Sequence, residues 1–318
     1  MFTLENINIF THRGLDCLES CLATISNHYR GTHALAYSRA IDFNFNAEKN
    51  ETIGGALNFY PRNIAMNLRK IYKIDLNAID SLENDLADTV NLSPYPILAV
   101  ASTFDCPWLN EYKIINQLRY FLVLYVEDDT VYFVDPILDK KIKTLPISSF
   151  SINTKKIFRV DLLPETAYDF DAQFRYSLNA ILAYNPTEDF EAFIDRIKMC
   201  HSIDKEYTKI SKNYIVSELD DRLGNKLAGS RGLYALFLQE LNDHIHSNKL
   251  REIADEYNKL EKKWLVLRNL FYRSYLNHTF KEEKNKIISQ TYLIVYEEVK
   301  LRNALLFYGT KYYQGEIN

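Results

Sequence analysis

The clearest chemical signal in the sequence is Cys17, which follows an aspartate at the start of an amphipathic segment. Asp16 and Glu19 have the spacing of a capping box, in which an N-cap side chain and a residue three positions later each accept a backbone N–H. The spacing predicts a helix whose first residue is Cys17. Backbone N–H groups at a helix N-terminus stabilise negative charge, so this position favours the thiolate, the reactive form of cysteine. The alternative is an inert cysteine at a helix start.

The other cysteines carry no comparable signal. Apolar residues recur with helical spacing from Leu18 to Tyr29, and Cys21 falls within that stripe. We therefore expect Cys21 to be a small core residue. Together with Cys106 and Cys200, the cysteines show neither the spacing of metal ligands nor a dense disulfide pattern, which predicts reduced thiols.

Composition excludes several classes of function. The chain has 318 residues, 47% of them hydrophobic and 25% charged, which is enough for two domains or one large one. With a formal net charge of -4, the chain lacks the excess of positive charge that is typical of proteins that bind nucleic acid. The longest apolar runs are far shorter than a membrane span, and the N-terminal residues lack the cationic start of a signal peptide. We expect a cytoplasmic protein that binds neither nucleic acid nor membrane.

A sheet is predicted in the first half of the chain. Residues 97–101 form a continuous apolar run after a proline, which is typical of a buried central strand. Residues 120–127 and 130–135 are two further strand-like runs joined by Asp128 and Asp129. A two-residue connection of this kind predicts a β-hairpin.

The hairpin register predicts which side chains lie beside Asp135. With a two-residue turn and regular pairing, Leu122 would face Asp135 across the hairpin. Tyr120 would then be the diagonal neighbour of Asp135 on the same face, and Arg119 would point to the other face. Tyr120 and Asp135 are therefore candidate site residues together with Cys17.

The second half of the chain is predicted to be mostly helical. Helical periodicity is present in residues 190–200, 232–244, 249–276 and 281–306. The expected fold class is α+β, with the Cys17 helix packed on an antiparallel sheet. The expected domains are residues 1–163 and residues 164–318.

Two related families share motifs with this chain. The segment DCLESCLA at 16–23, followed by NHY at 27–29, resembles the nucleophile segment of bacteriocin-processing cysteine peptidases. The same papain-like fold occurs in butirosin biosynthesis protein H-type acyltransferases. The segment FDCPW at 104–108, the GSRG at 229–232 before a predicted helix, and the helical second half are more similar to the acyltransferases. The resemblance covers most of the chain, but only the cysteine helix and the hairpin ending in VDP at 134–136 are specific.

The resemblance implies a papain-like domain at 1–163 and a helical domain at 164–318 that covers the site or docks a partner. It further implies an amide-forming acyltransferase of thiotemplated natural-product biosynthesis. Cys17 would receive an acyl chain from the phosphopantetheine thioester of an acyl or peptidyl carrier protein, and a small amine would then attack the acyl-enzyme. Neither a bound cofactor nor a metal is implied.

The chain departs from both families at the catalytic histidine. Both groups begin the first hairpin strand with that histidine, and here Tyr120 occupies the predicted position. A phenol with a pKa of about 10 is a poor base at neutral pH, so Cys17, Tyr120 and Asp135 form a damaged triad. Transfer from a thioester is less demanding than peptide cleavage, because a thiolate leaving group needs no proton.

Two further residues are candidates for the missing chemistry. Thr11 occupies the position of the glutamine that stabilises the oxyanion in the peptidases. His12, five residues before Cys17, could accept a proton from the preceding loop, although a surface or capping role is the alternative. The competing functions are a catalytically silent relative that binds a carrier protein or peptide, and a cysteine peptidase, which depends most on the missing histidine.

Overall fold

The structure, a computed structural model, describes residues 7–48, 50–58, 63–79, 86–165, 167–211 and 214–316. The chain forms two compact units, and neither is a single stretch of sequence. The first comprises Met1–His33 and Asn63–Tyr168, and the second comprises Ala34–Arg62 and Asp169–Asn318. The expected domains, residues 1–163 and 164–318, are each continuous. In the structure, Ala34–Arg62 belongs to the second unit.

The secondary structure of the described residues is as follows. The α-helices are α1 (Cys17–Arg30), α2 (Ile53–Ala56), α3 (Ile64–Ile71), α4 (Leu86–Asn91), α5 (Ile147–Asn153), α6 (Phe170–Ala183), α7 (Thr187–Met199), α8 (Glu218–Asp220), α9 (Gly229–Ile245), α10 (Asn248–Leu276) and α11 (Phe280–Tyr313). The β-strands are β1 (Asn44–Phe45), β2 (Leu57–Asn58), β3 (Ile74–Ile79), β4 (Ile97–Ser102), β5 (Leu118–Glu127), β6 (Thr130–Val134), β7 (Ile142–Pro146), β8 (Thr154–Leu162), β9 (Tyr207–Ser211) and β10 (Tyr214–Ser217).

Helix α1 begins as its sequence predicts. The Asp16 side chain accepts the Glu19 N–H at 2.8 Å, and the Glu19 side chain accepts the Asp16 N–H at 2.9 Å, which confirms the capping box. The helix ends at Gly31, whose φ of +74° is readily adopted by glycine. Cys21 is fully buried, as expected for a core residue.

The first unit is built on a six-stranded antiparallel sheet in the order β3-β8-β4-β5-β6-β7, and α1 packs on it. All six residues of β4 are buried, which confirms the predicted central strand. One core cluster includes Ala99, Phe121, Val123 and Phe133, and Trp108 packs against it. The α+β class and the helix-on-sheet arrangement are therefore confirmed.

The β5–β6 hairpin has the predicted turn and an additional irregularity. Asp128 and Asp129 have φ angles of +45° and +60°, as a two-residue type I′ turn requires. Beyond the turn the register shifts between Val123 and Tyr125, so Leu124 is an extra residue on β5. Such a β-bulge reverses which side chains share a face along the rest of the strand.

The second unit is mostly helical, as predicted, with a core formed by α9, α10 and α11. It also contains the β9–β10 hairpin. The expected helix start at 229–232 is wrong in one respect, because a π-helical segment, Asp221–Ala228, leads directly into α9. None of the described helices combines the length and apolarity needed to span a membrane.

Candidate functional site

The Cys17 side chain lies beside the first residues of β5. The thiol is half-buried, and its Sγ donates to the backbone oxygen of Leu118 at 3.8 Å. This contact forms because α1 packs on the sheet with its N-terminus near the start of β5. The sequence separation is 101 residues, so the fold itself brings this strand to the cysteine.

The expected lowering of the Cys17 pKa is wrong for this structure. Burial raises the pKa of the Cys17 thiol above its usual range, and the charges of Asp16 and Asp135 add to this effect. A backbone hydrogen bond from Tyr120 and the charge of Arg119 oppose it. The helix N-terminus is present, but burial outweighs the groups that stabilise the thiolate. At neutral pH the thiol is therefore mainly protonated.

The bulge at Leu124 corrects the predicted neighbour of Asp135. Leu122 pairs with Val134 instead of Asp135, so the residue facing Asp135 by continuation is Phe121. Arg119, two residues earlier, is then the same-face diagonal neighbour. The prediction that Arg119 points away from Asp135 is wrong.

Asp135 is engaged by Arg119 and Trp108. Arg119 donates from Nε to Oδ2 and from Nη2 to Oδ1, both at 2.8 Å, and Trp108 donates from Nε1 to Oδ2 at 3.0 Å. The Asp135 side chain is fully buried, whereas that of Arg119 is 15% exposed. Asp135 therefore holds a guanidinium in place, and a guanidinium cannot accept a proton from a thiol.

Tyr120 lies on the opposite face of β5 from Arg119, close enough to Cys17 to sense its charge. Burial raises the pKa of the Tyr120 phenol, and the negative charges that Cys17 and Asp16 carry when ionised raise it further. Tyr120 therefore remains protonated at neutral pH and can donate a hydrogen bond but not act as a base. The structure does not join Cys17, Tyr120 and Asp135 into one triad.

The Nδ1 atom of His12 is occupied by a backbone hydrogen bond. Its Nδ1 accepts the backbone N–H of Gly14 at 3.0 Å, and its ring stacks on Phe10 with centroids 6.2 Å apart. A neutral ring that accepts at Nδ1 carries its proton on Nε2, which leaves no basic lone pair for the Cys17 proton. Near it, burial lowers the pKa of His33 to about 3, with a further contribution from His12.

Thr11 is the other additional candidate from the sequence. Its hydroxyl is buried and has no hydrogen-bond partner among the residues that the structure describes. Buried hydroxyls are normally paired, so this donor has an unused hydrogen bond. Its role as an oxyanion donor stays a prediction.

Arg119 and Trp108 are site residues that the sequence pattern did not predict. Trp108 stands in the FDCPW segment that carries part of the resemblance, and this was the available signal. No sequence signal pointed to Arg119, because its orientation depends on the bulge at Leu124. In the described part of the chain, no group of three or more His, Cys, Asp or Glu side chains could hold a metal ion.

Compared with protein-family models and with curated protein sequences, the chain matches none. The family resemblance therefore depends on the quoted motifs alone. The arrangement itself offers one accessible thiol at a helix N-terminus, a neighbouring phenol, and a fixed arginine–carboxylate pair.

Proposed function

We propose that the first unit is a papain-like acyl-transfer unit that forms amides in a thiotemplated biosynthetic pathway. Cys17 would take an acyl chain from the phosphopantetheine thioester of a carrier protein and pass it to a small amine. The observation that carries the proposal is the placement of Cys17 at the start of a capped helix, beside the first residues of β5. Asp135 directly follows β6, which is also the order in the acyltransferases that the sequence resembles.

The chemistry can proceed without a histidine. In the first step the Cys17 thiolate attacks the thioester carbonyl, a new S–C bond forms, and the pantetheine thiolate leaves. In the second step an unprotonated amine attacks the acyl-enzyme, an N–C bond forms, and the Cys17 thiolate leaves and takes up the amine proton. Both leaving groups are thiolates, so neither requires a general acid. The cost is a strong dependence on pH, because the thiolate and the free amine are both needed.

A catalytically silent binding protein is the second candidate. It is favoured by the ion pair between Arg119 and Asp135, which occupies the carboxylate that would otherwise orient a histidine. In that case the unit would bind a carrier protein or a peptide without turnover. The two candidates differ in whether Cys17 becomes acylated.

Acylation by a short acyl-pantetheine thioester tests the proposal. Intact mass should show the gain of one acyl group in the wild type at pH 9, its loss on addition of an amine, and no gain in Cys17→Ala. Because the pKa of Cys17 is raised, the rate of acylation should still increase with pH above the usual range for cysteine.

Cys200 provides a matched control in the same chain. It is also half-buried, its Sγ donates to the Ser202 backbone oxygen at 2.9 Å, and burial raises its pKa. It differs in lying at the C-terminus of α7. Cys200→Ala should retain acylation. Equal acylation of the wild type and Cys17→Ala, or none in the wild type at pH 9, would reject acyl transfer and favour the binding protein.

A further inference from the structure

Arg119 and Asp135 form an ion pair at the start of β5, where the Cys17 thiol contacts the strand. We propose that Arg119 is a positioning residue that stabilises the Cys17 thiolate as a fixed cation, while Asp135 and Trp108 hold its guanidinium in place. This inference depends on the proposed function only in taking Cys17 as the reacting sulfur. In this arrangement the permanent positive charge of Arg119 stabilises the thiolate, and no side chain needs to accept the thiol proton.

The geometry fixes the guanidinium from one edge. Its Nε and Nη2 atoms both donate to Asp135, which is itself held by Trp108. Two parallel donors to one carboxylate define the plane and direction of the guanidinium. No hydrogen bond from Nη1, on the other edge, is found among the described residues. The Arg119 side chain remains 15% exposed, so it is not sealed in the core.

The Cys17 thiol lies beside the strand segment that carries Arg119, because its Sγ donates to the backbone oxygen of Leu118, the preceding residue, at 3.8 Å. Arg119 has a larger electrostatic effect than Asp135 on Cys17, whereas Asp135 has the larger effect on the buried Cys21 and on Cys106. On Cys17 the cation of the pair therefore acts more strongly than the anion, and on the two buried cysteines the anion acts more strongly. The pair therefore favours an anion at Cys17 even though its net charge is zero.

The other charged or titratable groups that face Cys17 come from two elements. Asp16 precedes it at the helix start and opposes thiolate formation. On β5, Tyr120 carries a phenol with a raised pKa and therefore adds no charge at neutral pH. Among the groups acting on Cys17, Arg119 is the one positive charge that favours the thiolate in the described structure.

Alkylation by iodoacetamide tests the inference without an acyl donor. The reagent is neutral, so the charge of Arg119 cannot attract it. At pH 7.5, Arg119→Gln should slow the alkylation of Cys17 and Asp135→Asn should accelerate it, each by roughly threefold to tenfold through the thiolate fraction. Arg119→Lys should retain most of the rate. The double variant R119Q/D135N should lie between the two single variants, because it removes both charges.

The opposite signs separate an electrostatic role from a structural one. Loss of packing alone would change the rate in the same direction in both single variants, and that result would overturn the inference. The rate at Cys200, measured by peptide mass in the same samples, should be unchanged and serves as the internal control. If Arg119→Gln does not fold, Asp135→Asn alone tests the inference. Alkylation of Cys17 in this variant at the wild-type rate or slower would overturn the inference.

This experiment and the acylation experiment can fail separately. Opposite shifts in alkylation without acylation would support the role of Arg119 and reject the acyl-transfer proposal. Acylation without opposite shifts would support the proposed function and overturn the role of Arg119.

Discussion

Each of the two units buries an arginine–carboxylate pair whose carboxylate also accepts a tryptophan indole N–H. In the helical unit, Arg231 of α9 pairs with Glu298 of α11, and Trp264 of α10 donates to Glu298 Oε2 at 3.0 Å. Arg231 also donates to the backbone oxygen of Asp42 at 3.1 Å. The arginine, glutamate and tryptophan side chains are fully buried, so this network joins three helices and has no access to solvent.

The sheet unit uses the same three chemical groups in a different environment. Its arginine, Arg119, lies at the start of a strand and keeps 15% of its side chain exposed. A half-buried thiol, Cys17, is close enough for the guanidinium to act on its pKa. The same three kinds of side chain can therefore form a purely structural network or one that acts on a reactive group. The difference is set by access to solvent and by what lies next to the cation.

We expect the largest loss of stability when the fully buried carboxylate of Glu298 is removed. Glu298→Leu leaves Arg231 buried without its anionic partner, which should lower the free energy of unfolding by about 3–5 kcal/mol. Urea unfolding of the helical unit measures this. The chain has two tryptophans, one in each network, so in a Trp108→Phe background the fluorescence reports on Trp264.

Glu297 is the matched control for that experiment. It neighbours Glu298 on α11 and pairs with Lys263, but both side chains are well exposed. Glu297→Gln should therefore change the free energy of unfolding by at most about 1 kcal/mol. If the two variants lose similar free energy of unfolding, the buried network of Glu298 contributes no more to stability than an exposed ion pair.

A smaller loss is expected when the arginine of the sheet unit is removed. Arg119→Leu leaves the Asp135 carboxylate with the Trp108 donor, but water can enter the space that the partly exposed Arg119 side chain vacates. We expect a loss of about 2–3 kcal/mol, less than for the sealed pair. Hydrogen exchange of peptides covering β5 and β6 measures it locally. Arg159→Leu, which removes an exposed pair with Asp161 on β8, should leave that exchange nearly unchanged.

Local features of the sheet unit were predictable from the sequence because short-range chemistry determines them. Asp16 and Glu19 fix the start of α1 by their own hydrogen bonds. Asp128 and Asp129 are residues that accept positive φ more readily than most, and a two-residue turn needs that conformation twice. The apolar run of β4 is buried on both faces, so it lacks the alternation of a half-exposed strand.

The arrangement of the site depended on features that the sequence does not encode locally. A bulge at Leu124 needs no special residue type, yet it moved Arg119 instead of Tyr120 to the side of Asp135. The pKa of Cys17 depends on how deeply the whole fold buries it, and the helix start alone indicated the opposite direction. Likewise, no local pattern assigns residues 34–62 to the helical unit, since that assignment arises from long-range contacts.

The smallest expected effect concerns the tryptophan of the sheet unit. Trp108→Phe removes the hydrogen bond to Asp135 Oδ2 but leaves both donors of Arg119 in place. We expect a loss of about 1–2 kcal/mol in the stability of the sheet unit, again measured by hydrogen exchange of β5 and β6. Alkylation of Cys17 should change less than in Arg119→Gln, because the cation is retained.

Trp264→Phe is the corresponding change in the helical unit. Trp264 is fully buried and packs against Phe43, Phe190 and Phe193, so this substitution removes a hydrogen bond and also leaves a cavity. Its cost should exceed that of Trp108→Phe, because a cavity in a closed core adds to the lost hydrogen bond. Equal costs would mean that the closed core around Trp264 adds no cavity cost, and the two networks would then not differ in this respect.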